Sequence, residues 1–382
     1  MNIIYFDNSA TTKIKTEVLN EMMPFLTSEF GNASSMYSIG RNSKRAIEKA
    51  RKKVAELINC NSSEVFFTAG GSESDNIALK GFAYANNEKG NHIITSKIEH
   101  PAILETCQML EKQGFEVSYI NVDEDGFIKL DELQNAIRPK TILISVMTAN
   151  NEIGTIQPIE KIAQIAHSHN IVFHTDAVQG IGNMKIDVQN MEIDMLSLSG
   201  HKIHAPKGIG ALYIKKGVNV EKIINGGHQE KDKRAGTENV AGIVGLGKAC
   251  EIANRNMEKH IKYLTKLRDY YIKKLQNEMP NNFRINGCME NRLPGNANVS
   301  FDGLNSSELI FKLDEKGICV SSGSACSSST PKPSHVLQAI NVPDKYLNSA
   351  IRTTFGDNNT FEEIDYFVNV LKKERTQVRK LN

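Results

Sequence analysis

No stretch of the 382-residue sequence approaches the ~20 consecutive apolar residues that a bilayer crossing needs, so no membrane span is expected. The sequence also has no CxxC pair and no Cys/His cluster at zinc spacing; Cys60, Cys107, Cys250, Cys288, Cys319 and Cys326 are scattered. That usage points away from an intrinsic metal site and towards a reducing, cytoplasmic setting. Charge of one sign is lacking too: at a net +2, nothing invites nucleic acid or an anionic membrane. The opening MNIIYFDNSATT carries neither the basic region nor the apolar run of a secretory signal. Internal repeats and low-complexity segments are missing. With 40% hydrophobic and 24% charged residues, the composition is that of a soluble globular enzyme, long enough for two or three domains.

From Val65 onward, short β-rich runs alternate with helical patterns. EVFFTAG is followed by SESDNIALKGFAYA, HIITS by PAILETCQMLEKQ, and TILISVMTA by PIEKIAQIAHSHN, with IVFHTDA next. Further strands are expected at MLSLSG and GALYIKK. This alternation means βαβ crossovers and a mostly parallel sheet. Runs such as ILISV are continuously apolar, as strands covered on both faces are. Ligands of such sheets bind at the carboxyl ends of the strands. After Asn239 the texture changes: a long helical pattern to Glu278, then FRING, ANVSFDG, SSELIFKLDEKG, CVSSG, AIRTTFG and a last amphipathic helix from Phe361. We expect a large domain over 15–255 and a smaller α+β domain, antiparallel or mixed, built from 1–14 and 256–382.

The stretch SLSGHKIHAPKGIGALY puts Lys202 just past an apolar strand, flanked by Ser199, Gly200 and His201. Alone, it reads as a surface lysine; in that setting its amine can form a Schiff base with an aldehyde cofactor. With YFDNSATT near the start and EEIDYFVNVL near the end, the stretch resembles the class-V pyridoxal-phosphate enzymes of fold type I, and within them the cysteine desulfurases of the NifS/IscS type. The resemblance spans essentially the whole chain. It implies a mostly parallel central sheet flanked by helices, pyridoxal 5'-phosphate as cofactor, L-cysteine as substrate and a homodimer.

TAGGSESDN is a strand, a double glycine and a helix opened by Ser72. Backbone amides there can approach an anion closely, although a plain N-cap by Ser72 explains the residues equally well. It lacks the Lys-Ser/Thr ending of a nucleotide-binding loop. The resemblance gives Gly71 and Ser72 the cofactor phosphate, and Ser199 and His201 further phosphate and ring contacts. His100, in SKIEHPAILE, stands at a strand-to-helix junction before Pro101. The family's equivalent stacks on the pyridine ring and shuttles protons. Asp176 closes the buried strand of VFHTDAVQG, where an acid needs a cation or strong hydrogen bonds. Its implied role is the pyridinium nitrogen, which makes the ring an electron sink. Asn151 and Gln179 match hydrogen-bond partners of the ring oxygen. Thr237, in KRAGTENV, matches a threonine that reaches the phosphate across a dimer interface. Arg352, in AIRTTFG, matches the arginine that grips the substrate carboxylate, a bidentate task suited to a guanidinium. Asn32, in FGNASS, matches a second substrate contact.

Cys326 lies in SSGSACSSST, among small polar residues with no apolar neighbours to bury it. An accessible thiolate there can take sulfur from bound cysteine as a persulfide. SSGSAC matches the family's catalytic loop, and the continuation SSSTPKPSHVL suits its long-loop branch. The implied partner is a sulfur-acceptor protein such as an iron–sulfur scaffold, with which Cys326 could transiently contact a cluster. His228 and Asp232 replace usual glycines, Asp357–Asn359 replace Arg-Phe-Thr, and Ala33 replaces a proline; these departures bear on the cleft mouth and on partner choice. GIVGLG follows no strand, and His167 and His169 do not share a helix face, so neither marks a nucleotide or metal site. The competing functions are a selenocysteine lyase, another class-V enzyme such as a transaminase, and a non-catalytic sulfur-transfer scaffold. The Cys326 loop speaks against a transaminase, and intact Lys202, His100 and Asp176 speak against the scaffold.

Overall fold

The computed structural model describes residues 3–322 and 333–381, with side chains to residue 376. Its strands are β1 Ile4–Tyr5, β2 Val65–Thr68, β3 His92–Ser96, β4 Glu116–Ile120, β5 Thr141–Ser145, β6 Val172–Asp176, β7 Met195–Ser199, β8 Gly210–Ile214, β9 Phe283–Ile285, β10 Asn296–Phe301, β11 Ile318–Cys319 and β12 Ala350–Thr354. The helices are α1 Thr16–Leu26, α2 Ser38–Ile58, α3 Gly71–Asn76, α4 Phe82–Asn86, α5 Pro101–Glu111, α6 Leu130–Asn135, α7 Ile159–Ser168, α8 Val240–Glu278, α9 Ser306–Asp314, α10 His335–Ala339, α11 Asp344–Leu347 and α12 Phe361–Leu381.

Seven strands form the central sheet in the order β2-β8-β7-β6-β5-β3-β4. Its pairs are parallel except those of β8, which runs antiparallel to both β2 and β7. Strands β3, β5 and β7 are buried along their whole length, as strands covered on both faces are. Parallel strands with helical crossovers put the carboxyl ends of β2, β3, β5, β6 and β7 on one edge, which is where such sheets hold ligands. A second sheet, β12-β10-β9, is antiparallel, and β1 pairs in parallel with β11.

Among the described residues, two of the buried apolar clusters belong one to the central sheet and one to the C-terminal sheet. One draws on residues from Val18 to Ile252, the other on Phe6 and residues from Leu264 to Leu371. The 39-residue helix α8 contributes to both. In the second cluster Tyr271 stacks on Phe367, and Phe6 meets Phe355 edge to face. The helical run expected over SESDNIALKGFAYA is continuous in space but opens into a π-helical turn at Ile77–Gly81. The cause is a close approach: the Glu221 N–H donates to Gly81 O at 2.9 Å, and a Cβ on Gly81 would lie 2.3 Å from Glu221 O.

Candidate active site

Seven expected residues, Gly71, Ser72, His100, Asp176, Ser199, His201 and Lys202, lie at the carboxyl edge of the central sheet. Beyond β2, Gly70 adopts a φ of +154° and Gly71 opens the helical run of α3. A Cβ on Gly71 would sit 2.7 Å from Val178 Cγ2, so only glycine lets the backbone form this cradle. Thr11, Gly71, Ser72, Ser199 and His201 line a cleft of about 590 Å³ there.

Beyond β7, a single helical turn, Gly200–Lys202, turns Lys202 back towards the N-terminal segment. Its Nζ donates to Ser9 O at 2.5 Å and to Ala10 O at 2.8 Å. His201 lies beside it, with Nδ1 3.1 Å from Thr11 Oγ1. Burial, with the charges of Lys202 and Lys207, lowers His201 to about 4, so its ring is neutral at pH 7.

Asp176 ends β6 and is 6% exposed. It accepts the Val178 N–H at 2.9 Å. Burial raises its carboxyl above the usual range, while the charges of His100 and Lys202 oppose that rise. His100 caps α5: the Ala102 N–H donates to Nδ1 at 3.1 Å. That bond fixes the tautomer, leaving Nε2 to carry the proton of the neutral ring. Burial lowers His100, and Asp176 pulls it back up.

Arg352 lies on β12 and is 3% exposed. Its Nη2 donates to Asp7 Oδ1 at 2.7 Å and its Nη1 to Asn151 O at 3.1 Å. Asn151 is thus joined to Arg352 through its main chain. Gln179 is mostly buried, and its Nε2 donates to Ser9 O at 3.1 Å. Two expected residues do not join this group within the chain. Thr237 is exposed in the loop before α8 and lines no part of the Gly71 cleft. Asn32 is exposed, and its Oδ1 accepts the Ser34 N–H at 2.9 Å. Cys326 lies outside the described residues.

Sequence reasoning missed four acids. Asp7 stands in the same YFDNSATT stretch used for the resemblance, with nothing beside it to mark its distant partner Arg352. Glu99 precedes His100 and is fully buried; Ser96 Oγ donates to it at 2.5 Å, and burial pushes it up to about 8. Asp75, on α3, is buried near Asp176, and burial and that neighbour raise it well above the ordinary range. Glu152 accepts from Ser334 Oγ at 2.6 Å, which ties the residue ahead of α10 to the residue after Asn151.

A glycine cradle, a strand-end lysine, a buried acid and a capping histidine at one sheet edge are a donor set that fits pyridoxal 5'-phosphate, and with this topology they define a fold-type-I pyridoxal-phosphate architecture. The model of the family described as aminotransferase class-V matches residues 4–367, and the chain belongs to that family. It is 52% identical over 381 residues to "Cysteine desulfurase IscS" of Clostridium botulinum, covering 99% of this chain and 96% of that relative. Among solved structures it is similar to a "NIFS-LIKE PROTEIN" (39% identity, TM-score 0.92, 98% of this chain and 99% of that one). It is also similar to "SspA in complex with cysteine" (38% identity, TM-score 0.82, 94% and 100%).

Proposed function

We propose that the protein is a pyridoxal-phosphate-dependent cysteine desulfurase, which converts L-cysteine to L-alanine and leaves the sulfur as a persulfide on Cys326. The observation that carries this reading is Lys202, Asp176 and His100 gathered at one sheet edge beside the Gly70–Gly71 cradle. The IscS relative at 52% identity and the cysteine-bound SspA structure support it.

Gly71, Ser72, Ser199 and His201 would hold the cofactor phosphate, completed by Thr237 of a second subunit. Asp176 would hold the ring nitrogen, His100 would stack on the ring, and Asn151 and Gln179 would hydrogen-bond to the ring oxygen. When bound, pyridoxal phosphate supplies an aldehyde for the substrate amine and a protonated ring that takes up the electron pair left at Cα. Arg352, with Asn32, binds the substrate carboxylate. Lys202 accepts the Cα proton and returns a proton to the product. His100 presents its Nε2–H to the reacting groups, because its Nδ1 is already occupied. Cys326, as thiolate, attacks the substrate sulfur; the S–C bond breaks, an S–S bond forms, and the three-carbon fragment takes up protons to become alanine. The two thiol reactants thereby balance alanine and one persulfide.

The same reading divides the chain into a cofactor-binding unit, residues 15–255, and a smaller unit of 1–14 and 256–382. It makes the protein a cytoplasmic homodimer that passes sulfur to an acceptor such as an iron–sulfur scaffold. Among the described residues no helix is long and apolar enough to cross a membrane.

Purified protein given L-cysteine should release alanine, and sulfide when a reductant is present; without reductant it should gain one sulfur on the Cys326 peptide. Formation of 3-mercaptopyruvate in place of alanine, with the sulfur still on its carbon, would point to transamination chemistry and overturn the reading. Turnover confined to selenocysteine would replace it with a lyase.

A further inference from the structure

Residues 8–12 form a strap tied at both ends. At one end Asn8 Nδ2 donates to Thr354 O at 2.9 Å, and the Ser9 N–H donates to Thr354 Oγ1 at 2.9 Å. Thr354 is the last residue of β12 and is buried. At the other end, the N–H and the Oγ1 of Thr12 both donate to His201 O at 2.9 Å. Between these anchors the carbonyls of Ser9 and Ala10 converge on Lys202 Nζ, at 2.5 and 2.8 Å. The strap thus joins the last strand of the C-terminal sheet to the loop that carries the lysine.

An ammonium can donate three hydrogen bonds, whereas a neutral amine gains far less from a carbonyl oxygen. Two carbonyls aimed at one nitrogen therefore favour its protonated form. They also fix where the nitrogen rests when nothing is bonded to it. Side-chain carboxylates could do the same, but a carboxylate would hold the lysine as a tight ion pair. Main-chain carbonyls bind the ammonium without adding a net negative charge beside Asp176.

We propose that the Ser9 and Ala10 carbonyls are the docking site of the Lys202 amine whenever it is released, and that Asn8 and Thr354 are positioning residues that hold those carbonyls in place. The inference rests on Lys202 being the proton carrier at Cα. In that step the Cα–H bond breaks, the proton forms a new N–H bond on Nζ, and the electron pair stays with substrate and cofactor. The product on the enzyme's side is the ammonium, and the strap stabilises that product. Among the described residues, the groups whose charge acts with that of Lys202 include Asp176 at the end of β6, His100 at the start of α5 and His201 beside it. Substitutions in the strap leave all three in place.

The test uses cofactor-free protein first. Acetic anhydride labels neutral amines, and mass spectrometry reads the labelling of Lys202 and of the surface residue Lys97 across a pH series. In Thr354→Val, which keeps the shape of the side chain but removes the acceptor for the Ser9 N–H, Lys202 should label about tenfold faster near neutral pH, the change that weakening one charge-assisted hydrogen bond brings. Lys97 should not change. Asn8→Ala, which cuts the neighbouring tie, should act in the same direction and serves if the valine variant fails to fold. With pyridoxal phosphate restored, both variants should keep KM for cysteine, lower kcat and show a larger isotope effect with α-deuterated cysteine. A strap that matters only for stability would lower the melting temperature and leave labelling and isotope effect at wild-type values; that result overturns the proposal. Lys202→Ala separates the two levels. If it still turns over cysteine, the reading of the site fails; if it is inactive while both strap variants label and react as wild type, the docking site alone fails.

Discussion

Arg352 and Asp7 form an ion pair with little access to water, Nη2 donating to Oδ1 at 2.7 Å, with side chains 3% and 16% exposed. Asn151 O takes a second donor, and Nε is buried with no partner among the described residues. The guanidinium is therefore held in a fixed plane with donors to spare for a carboxylate. Arg352→Ala should weaken cysteine binding by about 2–5 kcal/mol, the range for removing one partner of a buried charge pair. Cofactor content should stay at the wild-type level. Steady-state kinetics showing unchanged KM and kcat would reduce Arg352 to a partner of Asp7.

Cys326→Ser should retain pyridoxal phosphate and its visible absorbance, and should still change spectrum on adding cysteine, since those events need Lys202 and the cofactor alone. It should form no persulfide, because a serine hydroxyl cannot take the sulfur. Cys319 is the internal control: it ends β11, and burial raises its thiol above the ordinary value, which disfavours the reactive thiolate. Sulfur found on the Cys319 peptide instead would disprove the assignment.

Glu99 should give the protein a pH-dependent stability. Burial lifts its carboxyl to about 8 against the Ser96 and Met147 hydrogen bonds. In the unfolded chain a glutamate ionises near ~4.3. Between those values the folded state holds a proton that the unfolded state has lost, so stability falls as pH rises through that window. Glu99→Gln lacks this loss. Its melting temperature relative to wild type should climb from about pH 4.5 to about pH 8 and then level off, with a difference on the order of a few kcal/mol at pH 7. Parallel melting curves across the series would show that Glu99 is ionised in the fold.

Asp357 works with the opposite sign. Burial alone would raise it, but the His260 imidazole and Lys15, whose Nζ donates at 2.7 Å, hold its carboxyl well below the usual range. Stability from this cluster is present above the unfolded value of ~3.9 and is lost as pH falls through the folded one. Asp357→Asn should cost about 1–2 kcal/mol at neutral pH, allowing for partial exposure. The gap should narrow in acid, and calorimetry at descending pH reads it directly. Through this residue the segment after β12 is clasped to His260 of α8 and to Lys15 at the start of α1.

The parts of the fold legible in sequence were those with a local cause. HIITS, TILIS, VFHTD and MLSLS are apolar runs closed by polar residues, and they became β3, β5, β6 and β7. The long periodic stretch from Val240 to Glu278 became α8 without a break. β4 was overlooked because only Ile120 is buried along its edge position, leaving no two-faced apolar signal. The site was legible where a glycine pair, a lysine or a histidine sits at a strand end. Asp7, Asp75 and Glu99 were illegible because their partners, Arg352, Ser197 and Met147, come from distant parts of the chain. Nothing local distinguishes an acid that will meet an arginine from one that will meet water.

The pairing of Ile4 with Ile318, and the tie of Ser9 to Thr354, set an order in time. A ribosome releases the first residues of this chain long before their neighbours exist. The central sheet, which ends at β8, can close while the C-terminal sheet is still being synthesised. β1 and the Asn8–Ser9 end of the strap must wait for their partners until β11 and β12 emerge. Closing a loop that long is slow compared with local helix formation. The lysine pocket is therefore finished last, and a nascent chain stopped before residue 350 should hold a formed sheet with an unfinished catalytic centre.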